Sequence, residues 1–266
     1  MEIIKKSNVK EPVASWLISS HMLNPLLYES LDSCFSQKQH DFEMIFVCNG
    51  ELRNKIAKNL LLKYADEDRL TIVMTDMHYL THSLNLGLDL CRAEYIVRMD
   101  SDDRCMPDRL KIQLAYMKSN PDVCVLGSYY KIIDENGFEY NEVKLPSSNL
   151  DIRKSLRWWN PICHPSVIYR KSVICRIGGY MGSIQSEDYD LWVRLALNKQ
   201  IKFAAIEKPL LYYRSVSASG TRRSIYAYSS MASVQLRMFL ITLNPKWFLG
   251  GVVSITKILY WRMKGG

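Results

Sequence analysis

Short apolar runs alternate with helical patterns through the first half of the chain, and this alternation restricts the fold more than any other feature. Each run has the length and the polar boundaries of a β-strand. Strands joined by helices at this spacing form a mostly parallel sheet in a three-layered α/β fold. The predicted strands lie at residues 13–19, 43–48, 70–74, 95–99 and 123–126.

The segments between these strands carry helix signals. Asn24 and Pro25 begin the first helix, because proline suits the first helical position. Apolar residues then follow on one helical face at Leu27, Leu31 and Cys34. Further helices are predicted at residues 55–64, around Leu84 and Leu88, after Pro107, at 190–198 and from about 224 onward.

Polar side chains gather where the predicted strands end, at residues 19–21, 49–50 and 100–103. In open α/β sheets, ligands bind at the carboxyl ends of the strands. Neither a G-x-G-x-x-G fingerprint nor a G-x-x-x-x-G-K-[ST] loop occurs, so a dinucleotide site or a P-loop is not supported.

The acidic run at residues 100–103 holds three carboxylates within four residues. Burying such a cluster is costly unless a cation compensates the charge. Carboxylate oxygens suit Mg²⁺ or Mn²⁺, which bridge to substrate phosphates. The alternative is a solvated turn before a helix; the preceding strand favours the functional interpretation.

A second acidic run, at residues 186–190, begins a predicted helix. Acids there commonly complement the helix dipole. A group-transfer enzyme also needs a general base, which a carboxylate can supply. A third stretch, residues 160–166, places His164 between two prolines and indicates a loop with a restricted backbone.

Positive charge is concentrated in the tail. The net charge is +8, and from Lys202 onward ten Lys and Arg face a single acid, Glu207. This asymmetry indicates an anionic partner: a membrane surface, nucleic acid or a phosphorylated substrate. A merely solubilising tail is less favoured, because the tail is also rich in aromatic and aliphatic residues.

The tail also has an amphipathic pattern. In a helix over residues 246–264, Lys246, Lys257 and Lys264 share one side, and Trp247 and Trp261 lie between the faces. Such a helix lies in the headgroup plane of a membrane. Alternatively, its apolar face packs on the preceding part of the chain, and Gly250 and Gly251 weaken the helix prediction. The opposite, apolar side carries Phe248, Val252, Ile255 and Leu259.

Seven cysteines without a C-x-x-C pair, several of them in apolar runs, predict buried free thiols in a reducing compartment. Residues 1–10 lack the apolar core of a secretion signal. No apolar run approaches the ~20 residues needed to span a bilayer. We therefore expect a cytoplasmic protein attached peripherally to the inner face of the plasma membrane.

Four stretches together resemble glycosyltransferase family 2, in its bacterial capsule, exopolysaccharide and O-antigen branch. Their order and spacing match from about residue 13 to residue 214, and four motifs in order are more specific than any one alone. The stretches are residues 95–103 followed by 106–110 and Gln113, residues 160–166, residues 178–180 with 187–192, and residues 209–214.

The resemblance implies an inverting enzyme of the GT-A fold, with a Rossmann-like, mostly parallel sheet flanked by helices. Residues 1–214 would form the catalytic domain, with a donor half at about 1–130 and an acceptor half at about 131–214. Residues 215–266 would form a basic helical extension. The implied cofactor is Mn²⁺ or Mg²⁺. The implied donor is a nucleotide-diphosphate sugar, expected to be UDP-linked, and the implied acceptor is a lipid-linked saccharide of a surface polysaccharide.

The resemblance also implies individual roles. Asp188 would be the catalytic base. Asp102 and Asp100 would bind the metal. Arg side chains near the tail are expected at the diphosphate, because Arg matches phosphate geometry; these are Arg214, Arg222 and Arg223. The donor would contact Ser19, Asn49, Arg98, Asp100, Ser101 and Asp102, and the acceptor would contact Glu187, His164 and Trp192.

Some positions depart from the family pattern. The second strand ends in Cys48-Asn49-Gly50 where an Asp is common, which leaves the nucleobase open. Three other functions remain alternatives. A sugar nucleotidyltransferase would need a Gly-rich loop after the first strand, and residues 19–22 offer none. A silent scaffold subunit would not need the acidic motifs. Nucleic-acid binding by the tail is the third, and we expect none.

Overall fold

The computed structural model describes residues 1–182, 185–215 and 224–263. Its centre is one ten-stranded mixed sheet with the order β1-β4-β3-β2-β5-β9-β7-β10-β6, and β8 pairs with β7. The strands are β1 (Glu2–Lys5), β2 (Ala14–Ser20), β3 (Phe42–Asn49), β4 (Leu70–Thr75), β5 (Tyr95–Arg98), β6 (Arg104–Cys105), β7 (Val123–Ile133), β8 (Glu139–Val143), β9 (Ile168–Arg170) and β10 (Lys202–Arg214).

Helices cover both faces of this sheet, and every predicted helix is present. Asn24 caps the first one, because its side chain accepts a hydrogen bond from the Leu27 amide. The helices are α1 (Pro25–Phe35), α2 (Arg53–Lys63), α3 (Leu80–Leu90), α4 (Arg109–Ser119), α5 (Asn149–Ser155), α6 (Lys171–Arg176), α7 (Glu187–Leu197), α8 (Ile225–Thr242) and α9 (Pro245–Met263).

The predicted parallel arrangement holds for β2 to β5, which pair side by side in one direction. The sheet as a whole is mixed rather than mostly parallel. Strands β6, β8 and β9 pair antiparallel with their neighbours, and so does the unpredicted β1. β1 was missed because its charged, half-exposed residues carry no apolar run.

Alternate side chains of the central strands enter separate cores on the two faces of the sheet, as strand geometry requires. Trp16 and Ile18 pack with α1 and α2, whereas Leu17 packs with α3. Five of the seven cysteines are buried as free thiols, as predicted. Cys163 is only partly buried, and Cys175 is exposed, so burial is wrong for Cys175.

The C-terminal helices form a hairpin that rests on the catalytic fold. Helix α8 buries Met231, Val234 and Met238 in the core that contains α7. Gln235 of α8 links this helix to two other parts of the chain. Its Nε2 donates to the carbonyl of Arg157 (3.1 Å), and its Oε1 accepts from the Ser254 hydroxyl of α9 (2.7 Å).

Helix α9 packs through a face that the sequence did not single out: Trp247, Gly250, Gly251 and Ser254. Trp247 is therefore buried, not placed between the two faces as predicted. The predicted apolar side stays at the surface, with exposed fractions of 44% at Phe248, 40% at Val252, 40% at Ile255 and 53% at Leu259. Within the described parts of the chain, none of the helices combines the length and hydrophobicity required to cross a bilayer.

Candidate active site

The acidic run forms a tight turn directly after β5. Carboxylate oxygens of Asp100, Asp102 and Asp103 come within 4.8 Å of one another, and Asp103 is buried. Three convergent carboxylates are a suitable ligand set for Mg²⁺ or Mn²⁺. The arrangement therefore fits a divalent cation.

Arg98 lies beneath this turn. Its side chain is 1% exposed and donates to Asp100 Oδ1 at 2.5 Å. The guanidinium holds the Asp100 carboxylate in place. A contact of Arg98 with the donor stays a prediction.

Arg214 anchors the acidic turn from β10. Its guanidinium donates to the Asp102 carbonyl (2.8 Å) and to Glu29 Oε2 (2.6 Å), and its backbone amide donates to Asp103 Oδ1 (2.8 Å). The side chain is nearly buried, and a contact of Arg214 with the diphosphate stays a prediction. Arg222 and Arg223 lie outside the described residues.

The predicted donor-side residues meet at neighbouring strand ends. Ser19 is the last but one residue of β2 and precedes Ser20, whose hydroxyl accepts from Ser101 Oγ at 3.2 Å. Asn49 ends β3 and is 3% exposed. Its Oδ1 has no hydrogen-bond partner among the residues that the structure describes, which leaves a buried acceptor at the ligand edge of the sheet.

The second acidic run begins α7, as predicted. Ser186 precedes it with φ = 65°, a left-handed conformation that costs energy in a residue with a side chain. Asp188 is half-buried, and its Oδ2 accepts from Asn160 Nδ2 at 2.6 Å while its Oδ1 accepts from the Tyr189 amide at 2.8 Å.

Glu187 and His164 are both buried beside Asp188. Burial, and then the Asp188 charge, raise the pKa of Glu187 to about 7. Burial, and then the charge of Arg98, lower the pKa of His164 to about 3, so this ring is neutral. Its Nε2 lies 2.9 Å from the Tyr180 hydroxyl, and its Nδ1 lies 3.7 Å from Glu187.

One cleft of about 510 Å³ joins the two acidic runs, because Asp100 and Asp188 both line it. Glu187 and His164 also line this cleft. Trp192 does not: it is fully buried and packs edge-on against His164 at 6.1 Å. In this structure the indole of Trp192 supports the His164 ring, and an acceptor contact of Trp192 stays a prediction.

Sequence reasoning missed several residues of the cleft. Asn160 stands in a stretch that the sequence singled out, but nothing local linked it to Asp188. Ala227 and Met231 of α8 line the cleft as well, and a helical tail gives no signal of such a contact. Lys144 is the only Lys or Arg among the described lining residues.

A family model described as "Glycosyl transferase family 2" matches residues 15–178, more than half of the chain. The chain belongs to glycosyltransferase family 2. It is a glycosyltransferase, and the matched range includes the acidic turn and Asn160 but ends before Asp188.

Curated relatives agree with this assignment. The O-antigen biosynthesis glycosyltransferase WbnJ of Escherichia coli is 36% identical over 92% of this chain and 96% of its own length. The amylovoran biosynthesis glycosyltransferase AmsE of Erwinia amylovora is 31% identical over 85% and 84%. An Escherichia coli UDP-Gal:alpha-D-GlcNAc-diphosphoundecaprenol beta-1,3-galactosyltransferase is 28% identical over 65% and 62%.

Solved structures share the GT-A fold. Staphylococcus aureus TarS 1-349 in complex with UDP-GlcNAc superposes with a TM-score of 0.65 at 18% identity, over 85% of this chain and 66% of that one. The mannosyltransferase PcManGT of Pyrobaculum calidifontis, in complex with GDP-Man and Mn²⁺, has a TM-score of 0.60 at 16% identity, over 97% and 79%.

Proposed function

We propose that this glycosyltransferase moves a sugar from a UDP-sugar to a hydroxyl of a lipid-linked saccharide, with inversion, during synthesis of an O-antigen or related surface polysaccharide. The observation that carries the proposal is the single cleft lined by both Asp100 and Asp188. Asp100 would lie beside the donor diphosphate and Asp188 beside the acceptor hydroxyl, the arrangement that direct displacement of the diphosphate by this hydroxyl requires. Residues 1–130 would bind the donor, and residues 131–214 would bind the acceptor.

The acidic turn would hold Mn²⁺ or Mg²⁺ through Asp100, Asp102 and Asp103. When bound, the ion supplies charge neutralisation for the leaving diphosphate. Arg98 and Arg214 keep the turn in position from below and from β10. Their bonds are formed inside the protein, so the three carboxylates are pre-organised for this task.

The nucleobase of the donor sugar nucleotide would lie against Asn49. A uracil ring offers one N–H on its pairing edge, and the buried Asn49 Oδ1 is an acceptor for such a group. Pairing it would relieve the cost of a buried unsatisfied acceptor, about 1–3 kcal/mol. The UDP ligand of the TarS complex and the UDP-Gal donor in the name of a relative support this choice.

Asp188 would be the general base. It would take the proton of the acceptor hydroxyl while that oxygen bonds to the anomeric carbon and the bond from this carbon to the UDP oxygen breaks. A single displacement of this kind inverts the anomeric centre. Two hydrogen bonds hold the Asp188 carboxylate at the start of α7.

The acceptor would be amphiphilic, because the hairpin brings an apolar surface to the cleft. Ala227 and Met231 line the cleft, and Lys257 of α9 lies over the ring of Tyr228 at 5.7 Å. Lys257 thus lies beside Tyr228, the neighbour of Ala227 in α8. The part of α9 that follows Lys257 exposes Leu259, Tyr260, Trp261 and Met263.

We call the exposed residues Phe248, Val252, Ile255 and Leu259 the α9 apolar face. This face and the basic tail would bind the anionic inner surface of the plasma membrane, with the enzyme on the cytoplasmic side. Lys144 would meet a phosphate of the acceptor, since it is the only Lys or Arg among the described residues that line the cleft.

The test of the reaction uses two variants and a synthetic lipid-linked acceptor. Asp102→Ala should abolish metal-dependent binding of the donor in a calorimetric titration with Mn²⁺. Asp188→Asn should leave that binding intact but lower turnover by about 10²-fold or more, the usual scale for a general base. Unchanged donor affinity in the first variant, or near-normal turnover in the second, would contradict these roles.

The test of membrane binding replaces Val252, Ile255 and Leu259 by Ser, which leaves the packed face of α9 intact. Wild-type protein should co-sediment with anionic vesicles and be released by salt. The variant should stay in the supernatant. Equal sedimentation of the two proteins would show that the α9 apolar face is not the anchor.

A further inference from the structure

The side chain of Asn160 makes two hydrogen bonds with separate consequences. Its Oδ1 accepts from the Ile162 amide at 3.2 Å, which closes a turn over Pro161. Its Nδ2 donates to Asp188 Oδ2 at 2.6 Å, across 28 residues of chain. The first bond shapes the Asn160 loop, and the second bond joins this loop to α7. Both Asn160 and Asp188 line the cleft.

The turn also determines which end of the amide faces Asp188. Only the oxygen of the amide can accept from the Ile162 N–H, so the NH₂ group must face the carboxylate. A hydrogen bond to a carboxylate is stronger than one between neutral groups, and 2.6 Å is short for such a bond. The Asn160 amide is therefore a fixed donor aimed at one oxygen of Asp188.

We propose that Asn160 is a positioning residue that sets the rotation of the Asp188 carboxylate for proton abstraction. The terminal torsion of an Asp side chain is broad, so the carboxylate plane needs external support. The Tyr189 amide holds one oxygen and Asn160 holds the other. This inference rests on the proposed role of Asp188 as the base.

Loss of the Asn160 donor leaves one oxygen of Asp188 without its support from the loop. A misplacement of about 1 Å in a reacting group costs as much as 10²-fold in rate. The donor site lies at the acidic turn and the β-strand ends, so its affinity does not depend on this bond. The expected signature is a lower kcat with an unchanged dissociation constant for the UDP-sugar.

Two substitutions at position 160 distinguish the role of Asn160 in the turn from its role at Asp188. Asn160→Asp keeps an oxygen that accepts from the Ile162 amide but cannot donate to Asp188. Asn160→Ala loses both bonds. Because Asp at position 160 also sets a second carboxylate against Asp188, a loss of kcat in this variant supports positioning only together with a loss in Asn160→Ala.

Asn198 provides a matched control. Its Oδ1 accepts from the Gln200 amide at 2.9 Å, the same two-residue turn, on a part of the chain that does not line the cleft. Asn198→Asp should therefore keep wild-type kcat. This variant reports what the exchange does to such a turn, without the repulsion between two facing carboxylates at position 160.

The experiment measures kcat, KM for a synthetic lipid-linked acceptor, donor affinity by calorimetry and thermal stability. We expect kcat to fall by about 10- to 100-fold in Asn160→Asp and Asn160→Ala, with donor affinity within about twofold of wild type in Asn160→Asp. Combined with Asp188→Asn, Asn160→Ala should add no further loss, because both changes act on one group.

Near-wild-type kcat in Asn160→Asp would overturn the inference, and so would a fully additive loss in the double variant. If Asp188→Asn itself keeps normal turnover, the proposed base is wrong. If Asp188→Asn is slow but Asn160→Asp is not, only the role of Asn160 fails. Should Asn160→Ala not fold, near-wild-type kcat in Asn160→Asp, judged against its Asn198 control, would still overturn the inference.

Discussion

Two adjacent glycines of α9 should respond in opposite ways to the same substitution. A Cβ built on Gly250 would lie 2.0 Å from the carbonyl oxygen of Arg157 and 3.2 Å from Gln235 Nε2. A Cβ on Gly251 would meet the Leu236 side chain, at 3.0 Å from Cδ2 and 3.2 Å from Cγ, with the Ala232 carbonyl oxygen at an ordinary contact distance of 3.9 Å. The first obstacle is backbone, whereas the second can rotate.

The sizes of the opposing energies decide whether each Gly→Ala substitution stabilises or destabilises the protein. Gly→Ala in a helix interior gains about 1 kcal/mol of intrinsic stability. At Gly250 the helix must move away from Arg157, and overpacking of this kind costs about 1–3 kcal/mol. The shift also strains the bond from Gln235 to the Arg157 carbonyl, with a net value of about 1 kcal/mol. We therefore expect Gly250→Ala to lower the free energy of unfolding by about 1–3 kcal/mol, and Gly251→Ala to be neutral or stabilising.

The assay is denaturant unfolding of full-length protein, together with limited proteolysis of the hairpin at 25 °C. Gly250→Ala should release the hairpin to protease earlier than wild type, and it should lower transferase activity because Ala227 and Met231 line the cleft. Gly182→Ala is the control, since nothing lies within 4 Å of its added Cβ. A Gly250→Ala protein as stable as the Gly251→Ala protein would refute the packing argument.

Three further outcomes are expected. Because the pKa of Glu187 is raised, the folded protein keeps a proton between about pH 4.5 and 7 that the unfolded protein has lost. The stability that this proton confers is fully present below that range and is lost as pH rises through it. Glu187→Gln should therefore flatten the pH dependence of urea unfolding over this window, and an unchanged slope would contradict the burial argument. Lys144→Gln should raise KM for an acceptor carrying a diphosphate but not for a neutral alkyl glycoside, and equal effects on both would remove Lys144 from the phosphate site. Arg214→Lys cannot reproduce the contacts to the Asp102 carbonyl and Glu29, so calorimetry should show weaker Mn²⁺-dependent donor binding; unchanged binding would mean that Arg214 does not organise the acidic turn.

Much of the donor side could be predicted because its signals are local. An apolar strand followed at once by three carboxylates encodes both the sheet and its ligand edge within about ten residues, and the ends of β2 and β3 follow the same rule. Ser19, Asn49 and Ser101 accordingly lie at the strand ends where they were expected.

The arginines and Trp192 could not be placed by such reasoning. Arg98 and Arg214 have the right chemistry for phosphate, but their side chains satisfy carboxylates and carbonyls inside the fold. The resemblance implied an acceptor contact for Trp192, yet this helix position faces the core. Residue type indicates what a side chain can bind, while its direction depends on which face of the element is buried.

The order of strands and helices, the acidic turn and the acidic helix start were determined by the sequence itself, because periodicity and strand-end position depend on neighbouring residues. Tertiary structure alone decided the contacts between distant segments. These include the bond from Asn160 to Asp188, the α8 wall of the cleft, and the use of Gly250 rather than the α9 apolar face for packing. The physical reason is that close packing depends on shapes brought together from separate parts of the chain, and a local pattern holds no record of its partner.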